Sequence, residues 1–399
     1  MNLQRLHLRN FRGFADLTLE FGDRLTVIIG DNGAGKTAIL DAIAIGFGRF
    51  LTKLPGITGL TSKETDLRVS KGERREPVLL ITWEALTINR ELIAWANIRR
   101  RDSTVSAIQI RKEITAQLGK LFVLGVREID DYALKLVQAD TENQPYFLPV
   151  IAYYGTNRAV RQEVQRRRGF KKDFARFDAL RGALDPDSRF RAAFEWFNAM
   201  EDAERRERER RRDFDYRHPQ LQVVRGAIER LLPNYRNART EIRPLRFVID
   251  KHLPDGTVQS LRISQLSDGY RVMLGLTMDL ARRMAEANGH GLPADLAGTS
   301  PLDLPAIALI DEVDLHLHPS WQQRILNDLM QTFTRTQFIV TTHSPQVLST
   351  VNREQIRVIR VTERGFEVGK PDFSPLGHES GDALAQVMNT HREPALALQ

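Results

Sequence analysis

The sequence predicts an α/β fold in which buried strands end in polar, chemistry-bearing loops. Three observations carry that prediction. An apolar run, Leu25-Thr26-Val27-Ile28-Ile29, leads into Gly30-Asp31-Asn32-Gly33-Ala34-Gly35-Lys36-Thr37 and then into a helix-like run from Ala38 to Ile43. A second apolar run, Ala306 to Ile310, ends in Asp311-Glu312. A third, Phe338 to Thr341, ends in Thr342-His343. Short apolar runs closed by polar residues read as buried strands.

The first run fits G-x-x-x-x-G-K-[ST], the phosphate-binding P-loop, in the strand–loop–helix context that the motif needs. Its glycines let backbone N–H groups turn toward phosphates, and the helix N-terminus adds a partial positive charge. Asn32, Gly33, Ala34 and Gly35 then form the cradle of an ATP site. Lys36 reaches the β- and γ-phosphates, and the Thr37 hydroxyl holds Mg²⁺.

Bulk properties bound the rest. A length of 399 residues allows about two or three domain-sized units. The chain has no Cys, which excludes disulfides and a Cys-based zinc site. No apolar stretch approaches membrane-spanning length. The segment Met1 to Leu6 lacks the apolar core of a signal peptide, so the expected location is cytoplasmic, with no membrane partner. A net charge of +7 and a pI near 9.7 favour polyanionic partners weakly, since ATP is itself an anion.

Read along the chain, Leu3 to Asn10 alternates, with Leu6 and Leu8 on one face, and Asp16 to Phe21 alternates again after the turn Asn10-Phe11-Arg12-Gly13-Phe14. The two read as a hairpin-like pair feeding the P-loop strand. Residues 76–93 read as strand, and 104–125 as a strand followed by a helix. Pro149 to Arg158 reads as a buried strand ending in a loop. From Arg158 to Arg181 nine Lys/Arg face three acids, 9 − 3 = +6. Phe170, Phe174 and Phe177 are interleaved there at helical spacing. From Glu201 to Arg217 seven Arg balance seven acids, the pattern of a solvated helix. Leu221, Val224, Ile228 and Leu231 then return with helical spacing. The expected organisation is residues 1–159 as one half of a nucleotide-binding head, 160–242 as a short helical insertion, and 243–399 as the second half. Within the last, Asp255-Gly256 predicts a hairpin turn, and 286–305 reads as an exposed loop.

The strand-end residues suggest roles. Asp311, at the C-terminal end of its strand, suits the Mg²⁺ shell, and Glu312 suits orienting and deprotonating the attacking water. His343 occupies the place of a γ-phosphate sensor. Ile263 to Arg271 precedes a helix from Val272 to Ala285. Ser264 or Ser267 could cap that helix, and Ser267 with Gly269 could bind an anion at the same end.

This set resembles the ABC-type ATPase heads of the SMC, RecF and OLD families, over the whole chain except the insertion. The resemblance implies a P-loop NTPase of ABC/SMC-head type. Gly30 to Thr37 would be Walker A, Ile307 to Glu312 Walker B with its catalytic Glu312, Leu266 to Tyr270 the ABC signature, and His343 the switch histidine. The stretch Leu8 to Phe14 is similar to the family's first-strand motif, which implies that Arg12 lies close to bound nucleotide. Asp314 to Pro319 occupies the D-loop position and is typical of the OLD-like branch. The signature departs from the family pattern at Asp268 and Tyr270. No obvious Q-loop glutamine is present, and Asn157 or Arg158 could substitute. The loop Tyr153 to Arg158, the signature variant, Glu312 to Pro319, and Gly381 to Leu384 with Val387-Met388 look more narrowly like the PtuA ATPases of Septu and retron anti-phage systems.

In such families one P-loop is completed by the signature of a second chain, which implies a head-to-tail homodimer, or a higher oligomer built from it. Two function classes follow. One is an anti-phage defence ATPase that switches an HNH nuclease subunit acting on DNA. The other is a RecF-like repair ATPase that clamps DNA. A transporter ATPase is disfavoured by the Asn10-to-Phe14 motif, the Asp314-to-Pro319 segment and the unusual signature. No HNH motif is present, and the 399 − 343 = 56 residues after His343 leave no room for an OLD-type nuclease domain. The basic stretch around Arg166, Arg167 and Arg168 is the expected contact for nucleic acid or an acidic partner, unless it is an ordinary solvated face.

Overall fold

In a computed structural model, the described residues are 1–69, 75–101, 106–118, 125–157, 175–186, 190–242, 245–362 and 365–377. In chain order they form β1 (Asn2–Phe11), β2 (Phe14–Glu20), β3 (Leu25–Gly30), α1 (Lys36–Leu51), β4 (Val78–Leu86), β5 (Leu92–Arg100), α2 (Ala107–Leu118) and α3 (Arg127–Thr141). Then come β6 (Val150–Tyr154), α4 (Phe190–Arg211), α5 (Pro219–Leu231), β7 (Tyr235–Ile242), β8 (Leu245–His252), β9 (Val258–Arg262) and α6 (Asp268–Asn288). The chain continues through β10 (Ala306–Ile310), α7 (Pro319–Gln322), α8 (Ile325–Thr332), β11 (Thr336–Thr341), α9 (Pro345–Leu348), β12 (Ile356–Thr362) and β13 (Gly365–Gly369). Two compact units share these elements: residues 1–141, 307–314 and 337–399 in one, residues 142–306 and 315–336 in the other.

The first unit holds two sheets. One is antiparallel, in the order β2-β1-β4-β5. Leu3 and the pair Leu6 and Leu8 are all fully buried, although Leu3 is out of phase with the other two. A register shift against β4 between Leu3 and Arg5 resets the alternation, as a β-bulge does. The other sheet carries β13-β12-β3-β11-β10 in that order. Here β3 is flanked by β11 and β12, both parallel to it. The P-loop strand and the hairpin β1–β2 therefore belong to different sheets. Helix α1 is buried almost all round. The Trp83 and Trp95 indole N–H groups donate to the Ala42 and Gly46 carbonyls, 3.2 and 3.1 Å away. These carbonyls are four residues apart and share one face of α1.

The second unit contains β6, whose residues are all buried, the helices α4, α5, α6 and α8, and the antiparallel sheet β7-β8-β9. The hairpin expected at Asp255-Gly256 joins β8 to β9, with His252 opposite Val258.

Several expectations are corrected. Residues 107–118 are helix, and no strand occurs among the described residues of 104–125. Tyr235–Ile242, expected within a helical stretch, is a strand that pairs antiparallel with β8, with a register shift between Arg236 and Arg239. The segment 286–305 is not simply an exposed loop. Helix α6 continues to Asn288, and Glu286, Ala287, Asn288, Leu302 and Leu304 are buried. Phe177 is buried in a short helical turn, whereas Phe170, Phe174, Arg158, Arg166, Arg167, Arg168 and the 381–388 segment lie outside the described residues.

Candidate active site

The site is assembled where β3, β10 and β11 end. Gly35 takes a left-handed conformation at φ +92° as β3 turns into α1. A Cβ at Gly35 would also lie 2.5 Å from the Phe14 ring, so both backbone and space require glycine. Gly33 is left-handed too, and the Ala34 N–H closes the turn on the Asp31 carbonyl at 3.1 Å. Asn32 and Gly33 are exposed, and Ala34 is buried. Helix α1 has no side-chain cap and no acid in its first turn. Its leading N–H groups are thus left for an anion rather than for a cap.

Lys36 is buried. Its Nζ donates to the Gly30 and Asp31 carbonyls at 2.9 and 3.0 Å. Burial pulls the ammonium pKa below the ordinary lysine value, against the opposing pull of Asp311, Glu312 and Asp31. The Thr37 Oγ1 donates to Asp311 Oδ2 at 2.7 Å. On the other side, Thr341 Oγ1 donates to Asp311 Oδ1 at 2.5 Å and accepts the Glu312 N–H at 2.7 Å. One threonine of β11 thus fixes both acids that follow β10. Glu312 itself sits at φ +47°, a costly conformation for a non-glycine residue and one that recurs at functional sites.

The next residue of β11's end repeats the device. Thr342 Oγ1 donates to Asp314 Oδ1 and accepts the Ser344 N–H at 3.0 Å. His343 lies between these fixed positions and is half-buried. Arg12, also left-handed at φ +49°, donates from Nη1 to Asp41 at 2.6 Å and from Nε to Asp66 at 2.9 Å. Asp41 belongs to α1, so Arg12 braces the helix behind the P-loop.

The structure therefore brings Lys36, Thr37, Asp311 and Glu312 together, and His343 follows Thr342 just past the end of β11. Thr341, Thr342, Asp41 and Asp66 escaped sequence reasoning. The first two are ordinary β-branched residues of a strand, and only their place before His343 marks them.

Ser267 and Gly269 lie in the second unit. Ser267 holds the N-cap position of α6, but its side chain caps nothing. Gly269 is buried, and a Cβ there would lie 2.9 Å from the His316 carbonyl. Asp268 is ion-paired to Arg271. Tyr270 packs between Tyr235 and Trp321, with ring centroids 5.1 and 4.6 Å away. Thr156 and Asn157, in the loop after β6, are exposed.

The family described as AAA domain matches residues 5–232. A second AAA domain family, described with the AbiEii toxin and Type IV TA systems, matches residues 150–349. The Retron Ec83 probable ATPase of Escherichia coli is 27% identical over 413 residues, covering 89% of this chain and 71% of that protein. The Retron Vc95 probable ATPase of Vibrio cholerae serotype O1 biovar El Tor is 25% identical over 440 residues, 99% of this chain and 80% of the other. The likeness to the Septu protein PtuA of Bacillus mycoides is narrower, 32% over 102 residues, 26% of this chain and 13% of PtuA. The SMC head domain from Thermotoga maritima aligns with a TM-score of 0.47 at 18% identity, covering 94% of this chain and all of that one. No described helix is long and apolar enough to cross a membrane. With its P-loop in place and a family match over more than half of its length, the chain belongs to the AAA-domain P-loop ATPases and is related to the retron and Septu ATPases.

Proposed function

We propose that the protein hydrolyses ATP to ADP and phosphate as a dimeric switch in an anti-phage system, where it controls an HNH nuclease partner acting on DNA. The observation that carries the catalytic part is the chain of contacts Thr37–Asp311–Thr341–Glu312. It joins the P-loop to the two acids through hydrogen bonds of 2.5 to 2.7 Å.

The donor set suits Mg²⁺. A hydroxyl and a carboxylate oxygen are hard ligands, and Mg²⁺ is held by one or two carboxylates plus substrate phosphates. Thr37 and Asp311 would hold the ion, which supplies charge neutralisation at the β- and γ-phosphates. Lys36 turns from the loop carbonyls to the phosphates, and Asn32, Gly33, Ala34 and Gly35 offer backbone N–H groups to them. Glu312 orients and deprotonates the attacking water. His343 reads the γ-phosphate from the end of β11, and Arg12, held by Asp41 and Asp66, lies close to the bound nucleotide. Ser267 and Gly269 act on the nucleotide of a second copy, which makes a head-to-tail homodimer the working unit. The proposed domain division keeps residues 1–159 and 243–399 as the two halves of the head, with 160–242 inserted between them.

The defence reading is supported by relatedness to retron and Septu ATPases over most of the chain for the former. Glu312→Gln tests the mechanism. Phosphate release is expected to stop while ATP binding persists, and an ATP-bound dimer should accumulate in light scattering. Hydrolysis at the wild-type rate removes Glu312 as the base. A variant that stays monomeric with ATP at every concentration removes the dimer switch. Recovery of an HNH nuclease with the tagged protein from its native cells tests the partner.

A further inference from the structure

A cavity of about 670 Å³ in the second unit is lined by Ser267, Gly269 and Tyr270 on one side and by His316, His318 and Trp321 on the other. Its walls are fixed by packing. The Gly269 Cα side abuts the His316 carbonyl so closely that no Cβ fits, and the Tyr270 and Trp321 rings meet edge to face. The cavity's one carboxylate, Asp268, is already neutralised by Arg271.

What remains in the cavity is a set of donors. His318 Nδ1 meets the Ser320 hydroxyl at 2.9 Å and accepts the Ser320 N–H at 3.3 Å. When Nδ1 accepts, Nε2 is the ring nitrogen that can donate. His318 Nε2 has no hydrogen-bond partner among the described residues, nor has the imidazole of His316, and both residues are exposed. The Ser267 hydroxyl is not spent on capping α6. Two imidazoles and a hydroxyl around one cavity, with its acid paired off, suit an anion whose oxygens accept hydrogen bonds.

We infer that His316 and His318 are nucleotide-binding residues in trans. Together with Ser267 they contact the terminal phosphates of the ATP held by Lys36 of a second copy. This rests on the head-to-tail reading above, and it adds donors where that reading offers only the signature. The turn after Asp314 becomes the second jaw of the receptor, adding hydrogen-bond donors opposite Ser267.

Trans-complementation separates the possibilities. Lys36→Ala cannot hold ATP, and a His316→Ala/His318→Ala chain cannot receive it. Each homodimer is expected to release phosphate at least about tenfold more slowly than wild type, the loss due to charge-assisted hydrogen bonds. The two chains, carried on different tags and purified as a mixed dimer, contain one complete site. Phosphate release should return to about half of the wild-type rate, one site of two. The double-histidine variant, whose own P-loop is intact, should still bind a fluorescent ATP analogue, a fewfold more weakly than wild type, whereas Lys36→Ala should lose that binding altogether. His318→Gln, which keeps an N–H near the Nε2 position, should lose less than His318→Ala. Wild-type hydrolysis by the double variant, or a mixed dimer as inactive as its parents, overturns the inference. A parallel mixed dimer of Lys36→Ala with Ser267→Arg tells the failures apart. If it recovers and the histidine pair does not, only the role of the histidines falls. If neither recovers, the head-to-tail reading falls with it.

Discussion

Asp311 and Asp279 are two buried aspartates with opposite surroundings. Asp311, 4% exposed, is held by the hydroxyls of Thr37 and Thr341. Asp279, 3% exposed and on α6 in the other unit, is held by two guanidinium groups and a phenol. Arg282 Nη2 lies 2.9 Å away, Arg283 Nε 2.7 Å and the Tyr154 hydroxyl 3.0 Å. Hydroxyl donors can turn aside for a cation or a phosphate, and the carboxylate then keeps its charge for chemistry. Two guanidinium groups and a phenol fixed in a core leave no such freedom. Burial alone would raise the Asp279 pKa, but the charges of Arg283 and Arg282 and their hydrogen bonds hold it at about 2. Similar burial thus goes with neutral hydroxyl partners in one unit and with fixed cationic partners in the other.

The sharpest way to break this comparison is to remove one group from each network and measure both rate and stability. Lys36→Met is expected to lower hydrolysis roughly 10²- to 10³-fold, the usual cost of deleting an electrostatic contact to developing charge. Its unfolding midpoint should stay level or rise, because burial already disfavours the Lys36 charge in the folded protein. Asp279→Ala should do the reverse. It leaves Arg282 and Arg283 buried without their shared carboxylate, which costs about 3–5 kcal/mol, read by urea or thermal unfolding. If Lys36→Met destabilises as much as Asp279→Ala, the distinction between an exchangeable and a fixed network fails.

A pH titration sharpens the contrast within α6. Glu286 is 2% exposed. Burial pushes its pKa from 4.5 to about 7, Arg282 pulling it down and Asp178 pushing it up. The folded protein therefore binds that proton more tightly than the unfolded chain does. The stabilisation is full below about pH 4.5 and is lost as pH rises through about 7, a change on the order of 3 kcal/mol. Asp279 works in the other direction: its contribution is present above 3.8 and is lost as pH falls toward about 2. Glu286→Gln should flatten the decline between pH 5 and 7 in chemical unfolding, and an unchanged profile assigns the slope to another group.

How much of this was legible in the sequence follows the same division. Gly30 to Thr37 and Asp311-Glu312 could be read because their chemistry requires those residue types in one short order, and the structure brings Lys36, Thr37, Asp311 and Glu312 together. Thr341 could not be read, because its part depends on β11 lying beside β10, which brings it to Asp311 and Glu312 from 30 and 29 positions away in the chain. The charges of α4 from Arg205 onward could be read as solvated because they alternate locally, but Glu201 and Glu204, expected with them, are buried against Arg225 of α5. The ion pairs of α6 could not, since Asp279, Arg282, Arg283 and Glu286 show the same i,i+3 and i,i+4 spacing yet are buried. Spacing along a helix gives the partners of a charge but not the solvent around them. Tyr235–Ile242 failed for a related reason, as its strand identity comes from pairing with β8.

The smallest expected effect concerns the pair Asp268–Arg271, which spans the first turn of α6. Asp268 is 63% exposed at its side chain, so the pair should contribute well under about 1 kcal/mol to stability. Its proposed use is electrostatic. With Arg271 present, the signature cavity shows no net negative charge to an incoming phosphate. Arg271→Ala should leave the unfolding curve within about 0.5 kcal/mol of wild type, yet weaken ATP-dependent dimerisation a fewfold by exposing the carboxylate. Asp268→Gly added to Arg271→Ala should restore dimerisation, since no unpaired carboxylate then faces the incoming phosphate. A double variant as weak as Arg271→Ala alone shows that Arg271 touches the nucleotide directly, and that the signature cavity is not neutralised by internal pairing as the buried network of α6 is.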